Sequence, residues 1–117
     1  MKYMLLIYGN DETWDALHAK GIDGLMEQHR KLSAELQASG EFVDGLGLTT
    51  ANARVVRVID GVPAVTDGPF TEAKEVLAGY YVVDCDSLER AAEIAARLPE
   101  APYSPIEIRE LMDPLPD

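Results

Sequence analysis

KYMLLIY, residues 2–8, is apolar at nearly every position and stops at Gly9-Asn10, which describes a strand covered on both faces and therefore central in its sheet. A second run of the same kind, GYYVVDC, occupies residues 79–85. Outward from the first run, residues 10–19 are polar, with Trp14 and Leu17 three apart. They read as a loop with a helical turn starting at Asn10 or Asp11, placed to act as a lid. From Ile22 onward, Ile22, Leu25, Met26, Leu32 and Leu36 form one apolar stripe, and Gly40 supplies a stop. The spacing predicts a helix over Ile22–Ser39 with one face on a core.

EFVDGLGL, residues 41–48, is a short strand in which Gly45 and Gly47 predict a bulge or a close approach to the backbone. Residues 53–59 and 62–66 then form a hairpin around the two-residue turn Asp60-Gly61, with Arg54 and Arg57 on opposite faces. The hairpin delivers the chain to TDGPFTEAKE, residues 66–75. Here Asp67-Gly68 reverses the chain, Pro69 fixes φ, and Thr71 can cap a short helical turn over residues 72–77. After the second central strand, Asp86 with Glu89 fits a capping box. It precedes a helix with Leu88, Ala91, Ala92, Ala95 and Leu98 on one side, ending before Pro99. Residues 104–111 close the chain as an alternating edge strand, Ile106 and Ile108 on one face, Glu107 and Arg109 on the other.

With the hairpin treated as an insertion, the order strand, helix, strand, strand, helix, strand predicts an α+β, ferredoxin-like βαββαβ fold whose first and third strands lie in the middle. Two helices cover only one face of such a sheet, while its central strands are apolar on both. The second face therefore needs another layer, which a homodimer packed sheet to sheet supplies.

A chain of 117 residues, 47% hydrophobic, suits one domain with one core. Twenty-one acidic against ten basic residues give a net charge of −11, a field that repels phosphate backbones and anionic membrane surfaces. Neither nucleic acid nor membrane is expected as a partner. The single Cys85 has no internal disulfide partner, and no window reaches the length of a membrane span. The expectation is a soluble, cytoplasmic chain.

His29 lies seven residues after Ile22 and seven before Leu36, on the inward stripe, unlike its charged neighbours Glu27, Arg30 and Lys31. An inward imidazole needs partners for its nitrogens, and either a structural or a catalytic histidine satisfies that requirement. His18 and His29 are eleven apart and off one helical face, and Cys85 is alone in an apolar strand, so no metal is expected. No nucleotide loop such as GxGxxG is present, and no cofactor is expected.

TDGPFTEAKE followed by GYYVV and a terminal IEIREL, with KYMLLIYG at the start and His29 on the first helix, resembles the YCII-related family in its DGPF-containing branch. The resemblance covers almost the whole chain. It implies a dimeric α/β barrel of ferredoxin-like subunits, with a cleft around a helix histidine, here His29, and an aspartate, here Asp67. It places Phe70, Lys74, Glu75 and Tyr80 in the same neighbourhood and Arg109 in the final strand, with Arg109-Glu110 departing from the family's usual Arg-Pro pair. The implied function is a small-molecule enzyme using a His29/Asp67 acid–base pair near the dimer interface. The alternative is a non-catalytic ligand-binding or regulatory dimer associated with transcription, since some relatives are encoded beside sigma factors.

If His29 and Asp67 meet, the carboxylate fixes the imidazole tautomer and leaves the other nitrogen to move a proton on a small ligand. Arg109 would then either grip a carboxylate or phenolate of that ligand or pair with a nearby acid.

Overall fold

The computed structural model describes residues 1–49, 51–68 and 75–112. Its elements are β1 (Lys2–Gly9), α1 (Asp11–Ala19), α2 (Ile22–Ser39), β2 (Phe42–Gly47), β3 (Arg54–Ile59), β4 (Val62–Asp67), β5 (Val76–Asp84), α3 (Leu88–Ala96) and β6 (Ile106–Glu110). Four strands form one antiparallel sheet in the order β2-β5-β1-β6, and β3 and β4 form a separate two-stranded ribbon. This is the ferredoxin-like order, with the two most apolar strands at the centre and the ribbon as the insertion. None of the described helices is long and apolar enough to cross a membrane.

Alternation along the central strands sorts their side chains onto two faces. Tyr3, Leu5 and Ile7 of β1 stand beside Tyr81 and Val83 of β5. With Leu32 and Leu36 of α2, Ala91, Ile94 and Ala95 of α3, and Leu98, they make the core. The opposite face carries Met4, Leu6, Tyr8, Tyr80 and Leu46, and no helix packs on it among the described elements.

Local chemistry sets the boundaries. Asn10 Oδ1 accepts from the Thr13 N–H at 2.9 Å and starts α1, so the stretch expected as a loop with one helical turn is a nine-residue helix. Gly40, at φ 81°, ends α2 in the left-handed conformation that favours glycine. Asp60 and Gly61, at φ 50° and 78°, make the type I′ pattern that matches strand twist. The expected bulge in β2 falls between Phe42 and Asp44, just before Gly45.

Two expectations need correction. α3 is capped by Ser87, whose Oγ accepts from the Arg90 N–H at 3.1 Å, and not by Asp86, because the chain stays extended through Ser87. Val76 and Leu77, expected in a short helical turn, already pair with Gly9 and Tyr8, so β5 begins three residues earlier than its apolar run suggests. The rest of that expected turn, residues 72–74, lies outside the described residues.

Candidate functional site

The stripe on α2 outruns the core. Leu32 and Leu36 are buried, but Ile22 and Met26 are 48% and 52% exposed, so the N-terminal half of the helix stands off the sheet. Between them lies a pocket of about 690 Å³, within the size range of small-molecule sites. Its walls are Ile22, Leu25 and Met26 of α2, Trp14 and His18 of α1, Ile7, Gly79 and Tyr81 of the sheet, and Leu46 and Leu48 at the end of β2. The Trp14 indole closes on Gly9, where any side chain would collide with it. At Gly79 an added Cβ would sit 3.1 Å from the Leu46 carbonyl oxygen, a tight contact that the two strands could admit only by giving way by a few tenths of an ångström.

The polar part of the wall is a string of four side chains from three parts of the chain. His29 Nε2 lies 2.7 Å from Glu100 Oε2, and His29 Nδ1 lies 2.8 Å from the Tyr81 hydroxyl. Ser33 Oγ follows at 3.4 Å from the same hydroxyl. An ionised Glu100 can only accept, so Nε2 donates to it. In the neutral imidazole, Nδ1 then accepts from the Tyr81 O–H. The side chains are 20% exposed at His29 and 9% at Glu100, with the second carboxylate oxygen, Oε1, buried and without a hydrogen-bond partner among the described residues. Burial pushes the Tyr81 phenol above its ordinary pKa. The Ser33 hydrogen bond draws it part of the way back, and the Glu100 charge raises it again.

Each member is held firmly. Phe42 meets Tyr81 edge-on, ring centroids 6.1 Å apart at 87°. Glu100 sits on the turn after α3, its carbonyl accepting from the Tyr103 and Ser104 N–H groups at 2.9 and 3.0 Å. Ser104 Oγ is 2.7 Å from Thr13 Oγ1, and Thr13 donates to the Asn10 side chain at 3.0 Å, so Ser104 is the donor in the buried pair. The Glu100 turn is thereby tied to the start of α1.

The other residues singled out by sequence stand elsewhere. Asp67, at the end of β4, is 91% exposed and lies 3.5 Å from Arg54. Tyr80 faces the uncovered side of the sheet and donates to Asp44 Oδ2 at 3.0 Å. Arg109 lies on that same side, opposite Met4 in the β1–β6 register. Glu75 accepts from Asn10 Nδ2 at 3.4 Å, and its other oxygen is buried without a partner among the described residues. None of Asp67, Glu75, Tyr80 and Arg109 lines the pocket. Phe70 and Lys74 lie outside the described residues. In one chain, therefore, the carboxylate on His29 is that of Glu100, and Asp67 is occupied by Arg54.

Sequence reasoning passed over Glu100 and Tyr81. The signal for Tyr81 was strand parity: Tyr81 shares the helix side with Val83, and Tyr80 does not, but a strand apolar on both faces does not announce which side is which. Glu100 carried a fainter one, a lone acid in the otherwise uncharged LPEAPYSP. His18, set aside because it is off the helical face of His29, shares the pocket with it from a different helix.

Comparison with known proteins agrees with this architecture. Residues 1–114 match the family model described as the YCII-related domain. A protein of Rhizobium meliloti (strain 1021), described only as uncharacterised, is 33% identical over 103 residues, a match spanning 86% of this chain and 82% of the relative.

Proposed function

The chain belongs to the YCII-related family, and from that premise we propose that it is an enzyme acting on a small, mostly apolar molecule in the helix–sheet pocket, with His29 as its proton-transfer residue. The observation that carries this reading is the suspension of one imidazole between a buried carboxylate at 2.7 Å and a phenol at 2.8 Å on the pocket wall. A proton leaving the ligand passes to the Tyr81 oxygen as the phenol proton moves to Nδ1. The imidazolium so formed is offset by Glu100. In this reading Glu100 takes the part first expected of Asp67.

The uncovered sheet face, with Leu46 exposed beside Met4, Leu6 and Tyr8, supports a second copy of the chain packed there, which would put Tyr80 and Arg109 at the seam. Sedimentation showing only single subunits would remove this part of the proposal. The second reading, a non-catalytic ligand-binding dimer with a regulatory role, draws support from the predominantly apolar pocket walls. It predicts a ligand-induced rise in melting temperature without turnover.

The experiment is exchange of the enolisable protons of phenylacetone into D₂O, followed by NMR. The wild-type protein is expected to accelerate it, and His29→Ala to lose at least about 100-fold of the acceleration. Leaving Glu100 buried without its partner should cost at least about 1–3 kcal/mol, and a melting curve of the variant checks that it is folded. Equal rates in the two proteins, or a wild-type rate equal to buffer, would overturn the catalytic reading.

A further inference from the structure

His18, in the last turn of α1, and His29, in the middle of α2, line one pocket. Their settings differ. Both His29 nitrogens are engaged by Tyr81 and Glu100, whereas the His18 side chain is at the exposed rim and its ring makes no hydrogen bond or ion pair among the described residues. Two imidazoles on one apolar cavity, one backed by a carboxylate and one open to solvent, can remove a proton at one point of a ligand and return one at another. Building on the proton-transfer role given above to His29, we propose that His18 is a second proton-transfer residue and that the pocket carries out a two-site isomerisation of an uncharged β,γ-unsaturated carbonyl compound.

The step balances without an oxidant. The C–H bond beside the carbonyl breaks, and its proton passes to the Tyr81 oxygen as the phenol proton moves to His29 Nδ1. The electron pair spreads into a dienolate, a new C–H bond forms at the γ-carbon with a proton from His18, and the double bond moves into conjugation. Solvent restores both imidazoles, through the rim at His18. The apolar walls from Ile22, Met26, Trp14 and Leu48 suit an uncharged carbon skeleton, and the net charge of −11 disfavours an anionic one.

The test uses 3-cyclohexen-1-one as the probe and reads two quantities: appearance of the conjugated enone by ultraviolet absorbance, and exchange of the α-protons in D₂O by NMR. Isomerisation needs both histidines, and exchange needs only the His29 group. The wild-type protein is expected to accelerate both. His18→Ala should lose isomerisation by about 100-fold, many times more than it loses exchange, with added imidazole restoring part of it. His29→Ala should lose both. Isomerisation undiminished in His18→Ala, or wild-type exchange without isomerisation, would overturn the two-site proposal while leaving His29 as a base. Neither reaction in the wild-type protein would overturn both. Since the His18 side chain is exposed and makes no hydrogen bond or ion pair among the described residues, an equal melting temperature of His18→Ala and wild type ties any loss to chemistry.

Discussion

Replacing Glu41 with Gln tests whether the frame that holds the pocket depends on one half-buried ion pair. Arg90 of α3 grips Glu41 with both arms of its guanidinium, Nε to Oε2 at 2.8 Å and Nη2 to Oε1 at 2.9 Å, and Ser39 donates to the same carboxylate at 2.7 Å. The Arg90 hydrogen bonds, followed by that of Ser39, hold the Glu41 carboxyl at a pKa of about 2, against an ordinary value of 4.5. A difference of that size has a ceiling of about 3 kcal/mol. Arg90 is 36% exposed, and solvent screening brings the expected contribution down to about 1–2 kcal/mol.

The sign follows from the direction. A carboxyl with a lowered folded pKa stabilises the fold fully above its unfolded value, and that stabilisation disappears as pH falls from about 4.5 towards about 2. Urea unfolding followed by the fluorescence of Trp14 should show Glu41→Gln less stable by about 1–2 kcal/mol near neutral pH and equal to wild type at about pH 2. A gap between the two proteins that stays constant across that range would refute the reasoning. Because Arg90 links α3 to the segment leaving α2, the same variant should also weaken ligand binding, by loosening the supports of His29 and Glu100.

Two further substitutions separate the pocket chemistry from the packing. Tyr81→Phe keeps the edge contact with Phe42 and removes the hydroxyl that bonds His29 Nδ1. It should cost about 1 kcal/mol in an unfolding titration yet lower proton exchange on phenylacetone by about 100-fold, and a rate near wild type would show that the phenol is not in the relay. Gly79→Val puts a branched side chain 3.1 Å from the Leu46 carbonyl and 3.8 Å from Ile7 Cδ1, inside the pocket. Calorimetric titration with phenylacetone should show binding abolished, and unchanged affinity would place the ligand elsewhere.

The fold was legible because its strongest signals are local. Two continuous apolar strands, an Asp60-Gly61 turn and a Gly40 stop each reflect backbone or burial demands that act within a few residues. The pocket was not legible for the opposite reason. His29 comes from a helix, Tyr81 from a strand paired at the centre of the sheet, and Glu100 from a turn more than seventy positions along the chain from His29, so only the tertiary arrangement brings them together. Periodicity placed His29 inward but gave no partner. The same stripe showed apolar residues at Ile22 and Met26 without showing that both stay about half exposed, which is what leaves room for a ligand.

The central pairing has a consequence for how the protein is made. β1 is translated well before both of its neighbours, β5 and β6, so the most water-averse strand must wait until the residues between Gly9 and Val76 have been made before it can be covered. During that interval the nascent chain exposes KYMLLIY to whatever else is in the cell. Overproduction in a host short of holding chaperones should therefore fill inclusion bodies even though the finished molecule is well packed.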